Sequence, residues 1–254
     1  MGAKSSYGRI RMISVVIPIF NEEEMLKQYD TTLYPIIERL EKQFQEEFEV
    51  VLVDDRSKDK SWDIISELSA TKGNTKRVRH ENNRGMGGAI KTGIGMSHGN
   101  LLVFLDADLT FRPEDISILL TEFRKNPADC ISGSPYLLPG LMADVQAYRM
   151  ILSRTVNILY RILLGRHVTS ISPIFRLYKR QVFDSMSLSS ENFEINAEIL
   201  SRMIFLNLKI VEVPVALHER KFGESKARLT KSAKNHITVL YKIFCVKYLR
   251  RDWT

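Results

Sequence analysis

Four runs of apolar, strand-forming residues alternate with stretches of helical character, and this alternation narrows the fold more than any other feature. The runs are "ISVVIPIF" (13–20), "FEVVLVDD" (48–55), the neighbourhood of "RVRH" (77–80) and "NLLVFLDAD" (100–108). Helix-like segments cover 22–45, opened by three glutamates that suit a helix N-terminus, then 60–72 and 86–97. Strands interleaved with helices form βαβ units around a parallel sheet, so an α/β fold is expected. In such sheets ligands gather beyond the C-terminal ends of the strands. The residues found there are Asn21 and Glu22, Asp54 and Asp55, and Asp106 and Asp108. Three separate strands thus deliver acids to one edge, which core packing alone does not require.

The last of these pairs is the most informative. If "NLLVFLDAD" is extended throughout, Asp106 and Asp108 share a face, with the small Ala107 between them. Two like charges held close together call for a cation or generous hydration. A hard divalent ion that also binds substrate phosphates would serve. A strand end followed by an Asp helix cap would give the same residues. Asp54 and Asp55 point to opposite faces: one suits the donor groups of a nucleobase or ribose, the other a cap for the turn "DRSKDKS". The glycines of "NRGMGGAIKTGIGMSHG" fit neither a Walker loop nor G-x-G-x-x-G, and are expected to permit close backbone approach and tight helix packing.

Charge separates the two ends of the chain. The net charge is +7, yet between Arg220 and Arg251 ten basic residues face one acid, Glu224, leaving the remainder slightly acidic. A polyanion partner for this segment follows. Two stretches, 145–164 and 232–249, read as basic amphipathic helices. Their expected apolar sides are Tyr148, Leu152, Val156, Leu159 and Leu163, and Ile237, Leu240, Phe244 and Tyr248. Each could cover the sheet or lie on a membrane surface. No nucleic-acid-binding module is recognisable, so nucleic acid is not expected as a partner. Only Cys130 and Cys245 occur, far apart, which suits a reducing compartment. No run of about 18 apolar residues is present to span a bilayer, and "MGAKSSYGRIRM" lacks the apolar core of a secretory leader. The expected location is cytoplasmic, peripheral to a membrane.

Taken in order, "VVIPIFNEEE", "VVLVDDRSKD", "NRGMGGAIKTG", "FLDADLTFRPED", "FRLYKRQVF", "FEINAEIL" and "VEVPVALHERKFGESKAR" resemble family 2 glycosyltransferases of the GT-A fold, in particular the dolichyl-phosphate mannosyltransferase group. The resemblance covers roughly residues 13–228. It implies a mostly parallel, Rossmann-like sheet flanked by helices, preceded by a flexible segment (1–12) and followed by a basic amphipathic helix (229–254). It further implies that Pro18, Phe20, Glu22 and Asp54 or Asp55 hold the nucleoside. Asp106 and Asp108, with Ala107 between them, would hold Mg²⁺ or Mn²⁺ against the donor diphosphate. Arg220 and Lys226 match positions that meet phosphate groups, and Ser134 lies in "GSPY", where the family often has Gly-Ser-Arg-Tyr.

The implied reaction moves a hexose, in the first reading mannose from GDP-mannose and in the alternative a sugar from a UDP-hexose, onto polyprenyl or dolichyl phosphate at a membrane surface, reached either by the two basic helices or through a membrane-anchoring partner protein. An ionised phosphate acceptor needs no side chain to remove a proton, and an anion clamp of Arg220 and Lys226 with Arg176 and Arg149 would suffice. A sugar hydroxyl acceptor would instead need a carboxylate base, for which Glu194 and Glu198 are the nearest candidates. Several residues depart from the family pattern. Phe20 replaces a tyrosine, Thr110 a glutamine, and Pro135 the arginine of "GSRY"; "SISPIF" replaces Ser-Gly-Phe. These departures leave a different donor, a hydroxyl acceptor or a non-catalytic nucleotide-binding subunit as alternative readings.

Overall fold

The computed structural model describes residues 12–142, 147–165, 168–220, 222 and 229–253. Its first half is the expected alternation: β1 (Met12–Ile19), α1 (Glu23–Leu26), α2 (Tyr29–Thr32), α3 (Tyr34–Phe44), β2 (Glu47–Asp54), α4 (Ser61–Thr71), β3 (Thr75–Arg79), α5 (Gly85–Met96), β4 (Leu101–Phe104) and α6 (Ile116–Lys125). The second half adds β5 (Cys130–Ser134), α7 (Ala147–Leu164), β6 (Arg176–Lys179), α8 (Ile195–Phe205), β7 (Ile210–Pro214) and α9 (Leu229–Leu249). The seven strands form one sheet in the order β3-β2-β1-β4-β6-β5-β7. β1 pairs in parallel with β2 and β4, and β2 with β3. β6 is antiparallel to both β4 and β5, while β5 and β7 are parallel.

Apolar residues on both faces of the central strands explain why they lie in the middle. Ile13, Val15 and Ile17 of β1 join a core under α3 and α6 that includes Leu40, Leu119 and Phe123. Val16, Val51 and Val53 face the other way, against Ala89, Ile90 and Ile199 of α5 and α8. Each such side chain contributes about 1.5–3 kcal/mol relative to exposure. α5 comes so close to β1 that a Cβ on Gly93 would lie 2.3 Å from Val16 Cγ1, which accounts for a glycine there. A third cluster joins Tyr160 and Leu164 of α7, Leu200 and Ile204 of α8, and Val239 and Ile243 of α9.

Three expectations need correction. The helix read over 22–45 is broken into α1, α2 and α3; Pro35 sits in the first turn of α3 and has no N–H to continue an earlier turn. The strand read over 100–108 ends at Phe104, so Asp106 and Asp108 lie in a turn rather than on one strand face. The apolar side read for α7 holds only in part: Val156 and Leu163 pack against the third cluster, but Leu159 is exposed, and Asn157, read as part of the polar stripe, is buried beside Tyr160; the side chains of Tyr148 and Leu152 lie outside the described residues. No helix among the described residues is long and apolar enough to cross a membrane.

Candidate active site

The turn after β4 is held in place from three sides. Leu105 N–H still donates to Val16 O of β1, at 3.1 Å. Leu109 adopts a left-handed φ of 52° and donates its N–H back to Asp106 O, turning the chain sharply. The buried hydroxyl of Tyr29 donates to Ala107 O at 2.9 Å. The result carries both aspartates to the C-terminal edge of the parallel strands, although by a route other than strand alternation.

Glu22 reaches the same place from β1. Asn21, at a φ of 53°, accepts Lys58 N–H on its side chain and donates its own N–H to Ser57 Oγ, while Glu22 N–H donates to Ser61 Oγ. The loops after β1 and β2 are therefore stitched together. Arg220 arrives on the segment after β7, which is fastened to the acid turn by His218 N–H donating to Thr110 O. Its Nη2 lies 2.7 Å from Glu22 Oε1 and its Nε 2.9 Å from Asp108 Oδ2. Beside Glu22, a hollow of about 210 Å³ is bounded by Asn21, Met25, Asp59 and Phe222.

Three carboxylates thus share a small volume with one guanidinium. Desolvation opposes the charge on Arg220, but Asp108 and Glu22 outweigh it and hold its pKa above the usual value. Burial, and then the charge of Asp108, push Asp106 well above the ordinary aspartate range. Burial and the same acids raise Tyr29, which stays a neutral donor. Asp108 accepts Thr110 N–H and Arg220, whereas Asp106 has no hydrogen-bond partner among the described residues. Such a set fits a hard divalent ion: its donors are carboxylate oxygens, it already attracts a cation, and one carboxylate has no compensating donor. Among the described residues no group of three or more His, Cys, Asp or Glu side chains is placed to hold a metal ion by itself. Two carboxylates with the remaining positions left to phosphate and water is the arrangement expected of Mg²⁺-type sites.

Other predicted residues lie in different surroundings. Pro18 and Phe20 are half-buried at the end of β1, next to the acid cluster in sequence. Asp54 is fully buried, caps the turn by accepting Ser57 N–H, and pairs with Arg79 Nε at 3.0 Å. Asp55 is buried against His80 Nδ1 at 2.7 Å and also accepts Arg84 N–H. Ser134, at the end of β5, is buried with its hydroxyl 2.6 Å from that of Thr169, in a network closed by Glu212. Ala107 is buried in the acid turn. Lys226 lies outside the described residues, as do Gly223, Glu224 and Ser225 and the side chain of Arg149.

Two residues weighed for chemistry turn out to be part of the framework. Arg176 is fully buried and donates to Ser132 Oγ and to the carbonyls of Ser170, Ile171 and Asn196, so it is no anion clamp. Glu198 is fully buried, accepts Ser189 and Ser190 N–H and pairs with Arg202 at 2.9 Å. Desolvation would raise its pKa, but those donors outweigh it and keep the carboxyl ionised, locked in place and unsuited to act as a base. Glu194 is buried as well, bonded to Asn192 N–H and Asn235 Nδ2. The glycines face protein: a Cβ on Gly85 or Gly87 would strike the carbonyl of Glu191 or Ser190. Tyr29 was not singled out from the sequence, where it looks like any aromatic on the apolar side of a helix.

Comparison with known proteins identifies the family of the chain. The sequence matches the profile described as Glycosyl transferase family 2 over residues 14–186. It is 32% identical over 218 residues to a dolichol-phosphate mannosyltransferase of Pyrococcus furiosus, covering 85% of this chain and 59% of that protein. The chain therefore spans about three-fifths of that relative's length. It is 31% identical to the polyprenol monophosphomannose synthase of Mycolicibacterium smegmatis, covering 84% of this chain and 79% of that one. Among solved structures, glucosyl-3-phosphoglycerate synthase of Mycobacterium tuberculosis, in complex with Mn²⁺, UDP and glucosyl-3-phosphoglycerate, superposes with a TM-score of 0.67 at 17% identity, covering 95% of this chain and 81% of the other. That likeness concerns the GT-A fold alone. With the profile spanning more than half of its residues, the chain belongs to glycosyl transferase family 2.

Proposed function

We propose that the chain transfers a hexose from a nucleoside diphosphate sugar to a polyprenyl phosphate, with Mg²⁺ or Mn²⁺ bound at Asp106 and Asp108. The observation that carries this reading is the meeting of Glu22 and Asp108 on Arg220 at the strand edge, with Asp106 in the same turn as Asp108. The names of the two relatives support the lipid phosphate acceptor and mannose as the sugar. When bound, the cation supplies neutralisation of the diphosphate's charge as it departs. The chain's own residues do the rest. Pro18, Phe20 and Glu22 form the floor and rim for the nucleoside, and Asp54 and Asp55, bonded to Ser57, Arg79, His80 and Arg84, brace the strand end beneath it. Arg220 exchanges its carboxylate partners for a phosphate of the donor or acceptor, and Lys226 assists it. Ser134 holds the loop that carries Thr169.

The acceptor phosphate is ionised near neutral pH, so its oxygen attacks the anomeric carbon directly and inverts it. No general base is required, and the two glutamates weighed for that role, Glu194 and Glu198, are committed to structural bonds. The acceptor's hydrocarbon tail stays in a bilayer, so the reaction belongs at a cytoplasmic membrane surface, reached directly or through an anchoring protein.

UDP-glucose is the second donor to weigh, because Pro135 and "SISPIF" alter the acceptor-side loops and the solved relative binds UDP. Incubation with Mg²⁺, a short polyprenyl phosphate and radiolabelled GDP-mannose or UDP-glucose separates the two. Label entering the organic phase from GDP-mannose is the expected result. Label from UDP-glucose alone selects the second donor. No lipid-linked label from either donor overturns the lipid-acceptor reading.

A further inference from the structure

The outward side of α9 is apolar where a water-facing helix would be polar. Ile237, Tyr241, Phe244 and Tyr248 recur at i, i+4, i+7 and i+11, so they form one stripe, and they are 65%, 61%, 43% and 55% exposed. On α7, which packs against α9, Ile158, Leu159 and Ile162 are exposed as well. Core closure does not require these residues. The inner sides of both helices are already filled by Tyr160, Leu164, Val239 and Ile243 packed on α8. Tyr160 also meets His236 at 3.0 Å, and Lys247 Nζ donates to Leu163 O, so the helices are fixed to one another by their other sides. Contiguous apolar surface of this kind on a folded chain marks an interaction site.

Charge identifies the occupant. Neither α7 nor α9 contains an acidic residue. Around the apolar side chains stand exposed Arg154, Arg161, Lys234, Arg250 and Arg251. A second copy docked through a two-fold axis would set these cationic rims against each other, which opposes self-association. Nucleic acid would leave the central aliphatic and aromatic residues without a phosphate to meet. An anionic bilayer satisfies both features: isoleucine and phenylalanine enter the acyl boundary, tyrosines sit at headgroup level, and the rim meets negative lipid. We propose that the exposed sides of α7 and α9 are a docking face that lies directly on an anionic lipid surface. Its purpose rests on the lipid-acceptor function proposed above, but its physics does not. α9 begins nine residues after Arg220, so docking would bring the acid cluster's own segment to the membrane.

The test is flotation of the full chain with phosphatidylcholine vesicles containing about one-third phosphatidylserine, set against phosphatidylcholine alone. Expected results are binding to the anionic vesicles only, at least tenfold weaker binding by the double variant Tyr241→Glu, Phe244→Glu, and about fivefold weaker binding on loss of each basic residue, as in Arg250→Gln. Both substituted side chains of the double variant are exposed, so its melting temperature should match the parent's. Transfer to a short acceptor dispersed in detergent should be unchanged. Failure of the parent chain to float overturns the proposal, as does undiminished flotation of the double variant. A parent dimer in solution that the double variant converts to monomer, without vesicle binding, would assign the face to a second copy instead. If flotation behaves as expected but no donor supports transfer, the docking face stands and the proposed reaction falls.

Discussion

At the tips of β1 and β4, the carboxylates of Glu22 and Asp108 pair with one guanidinium, and Asp106, in the same turn, has no donor among the described residues. In the first turn of α8, in contrast, the single carboxylate of Glu198 receives two backbone N–H groups, the Ser189 hydroxyl and Arg202. Both places hold acids away from bulk water, and burial acts on each in the same direction. The outcome differs because one charge is compensated by the chain and the other is not: Glu198 is held below the usual glutamate range, while Asp106 is pushed above the aspartate range. A fully bonded buried acid is part of the framework. An under-compensated group of acids at a strand edge is what the proposed cation site requires.

Removing a carboxylate should therefore have opposite consequences at the two places. Asp108→Ala is expected to lower transfer about a thousandfold or more while leaving the melting temperature unchanged or raised, since like-charge repulsion eases; retained activity would break the contrast. Glu198→Gln should cost about 3 kcal/mol of stability, read by urea unfolding, with activity per folded molecule preserved. The sign of its pH dependence follows from its lowered pKa. The contribution of Glu198 is complete above the unfolded value near 4.5 and is lost as pH falls through the lower folded value, so the variant's stability should depend less on pH in that acidic window than the parent's.

Arg220 tests how the acid cluster is balanced. Arg220→Met should bind Mn²⁺ about tenfold more tightly than the parent without nucleotide, because the resident cation is gone, and should lose affinity for the nucleoside diphosphate. Titration of Mn²⁺ followed by electron paramagnetic resonance measures both, and unaltered Mn²⁺ affinity would separate Arg220 from the cation site. The smallest effect is expected at Tyr29. Tyr29→Phe removes one neutral hydrogen bond to Ala107 O, worth about 1 kcal/mol in stability, and should slow transfer only modestly.

The strands around 13–20 and 48–55 were readable because burial on both faces leaves an unbroken apolar run, and the acids at their ends were visible as departures from it. The run at 100–108 misled by continuing to look extended through Asp106 and Asp108. The turn there depends on Leu109 adopting positive φ and on the distant Tyr29, neither of which has a local signature. The periodicity of α7 is legible only in part for a different reason: Val156 and Leu163 face inward as the spacing predicts, but the exposed Leu159 and Ile162 belong to an outer apolar side, which periodicity alone does not separate from the inner one. Arg220 could be paired with the acids only through a family resemblance, since 112 positions separate it from Asp108. The interior roles of Arg176 and Glu198 depend on partners supplied by several loops and strands, which no spacing announces.

The most direct test is isothermal titration of the full chain with Mn²⁺ in the presence and absence of GDP or UDP, repeated with Asp106→Ala and Asp108→Ala. A Mn²⁺ ion that binds tightly only together with one of these nucleotides, and that either substitution abolishes, is the predicted result. Nucleotide-dependent Mn²⁺ binding that survives both substitutions, or no such binding at all, would contradict a cation site at the end of β4.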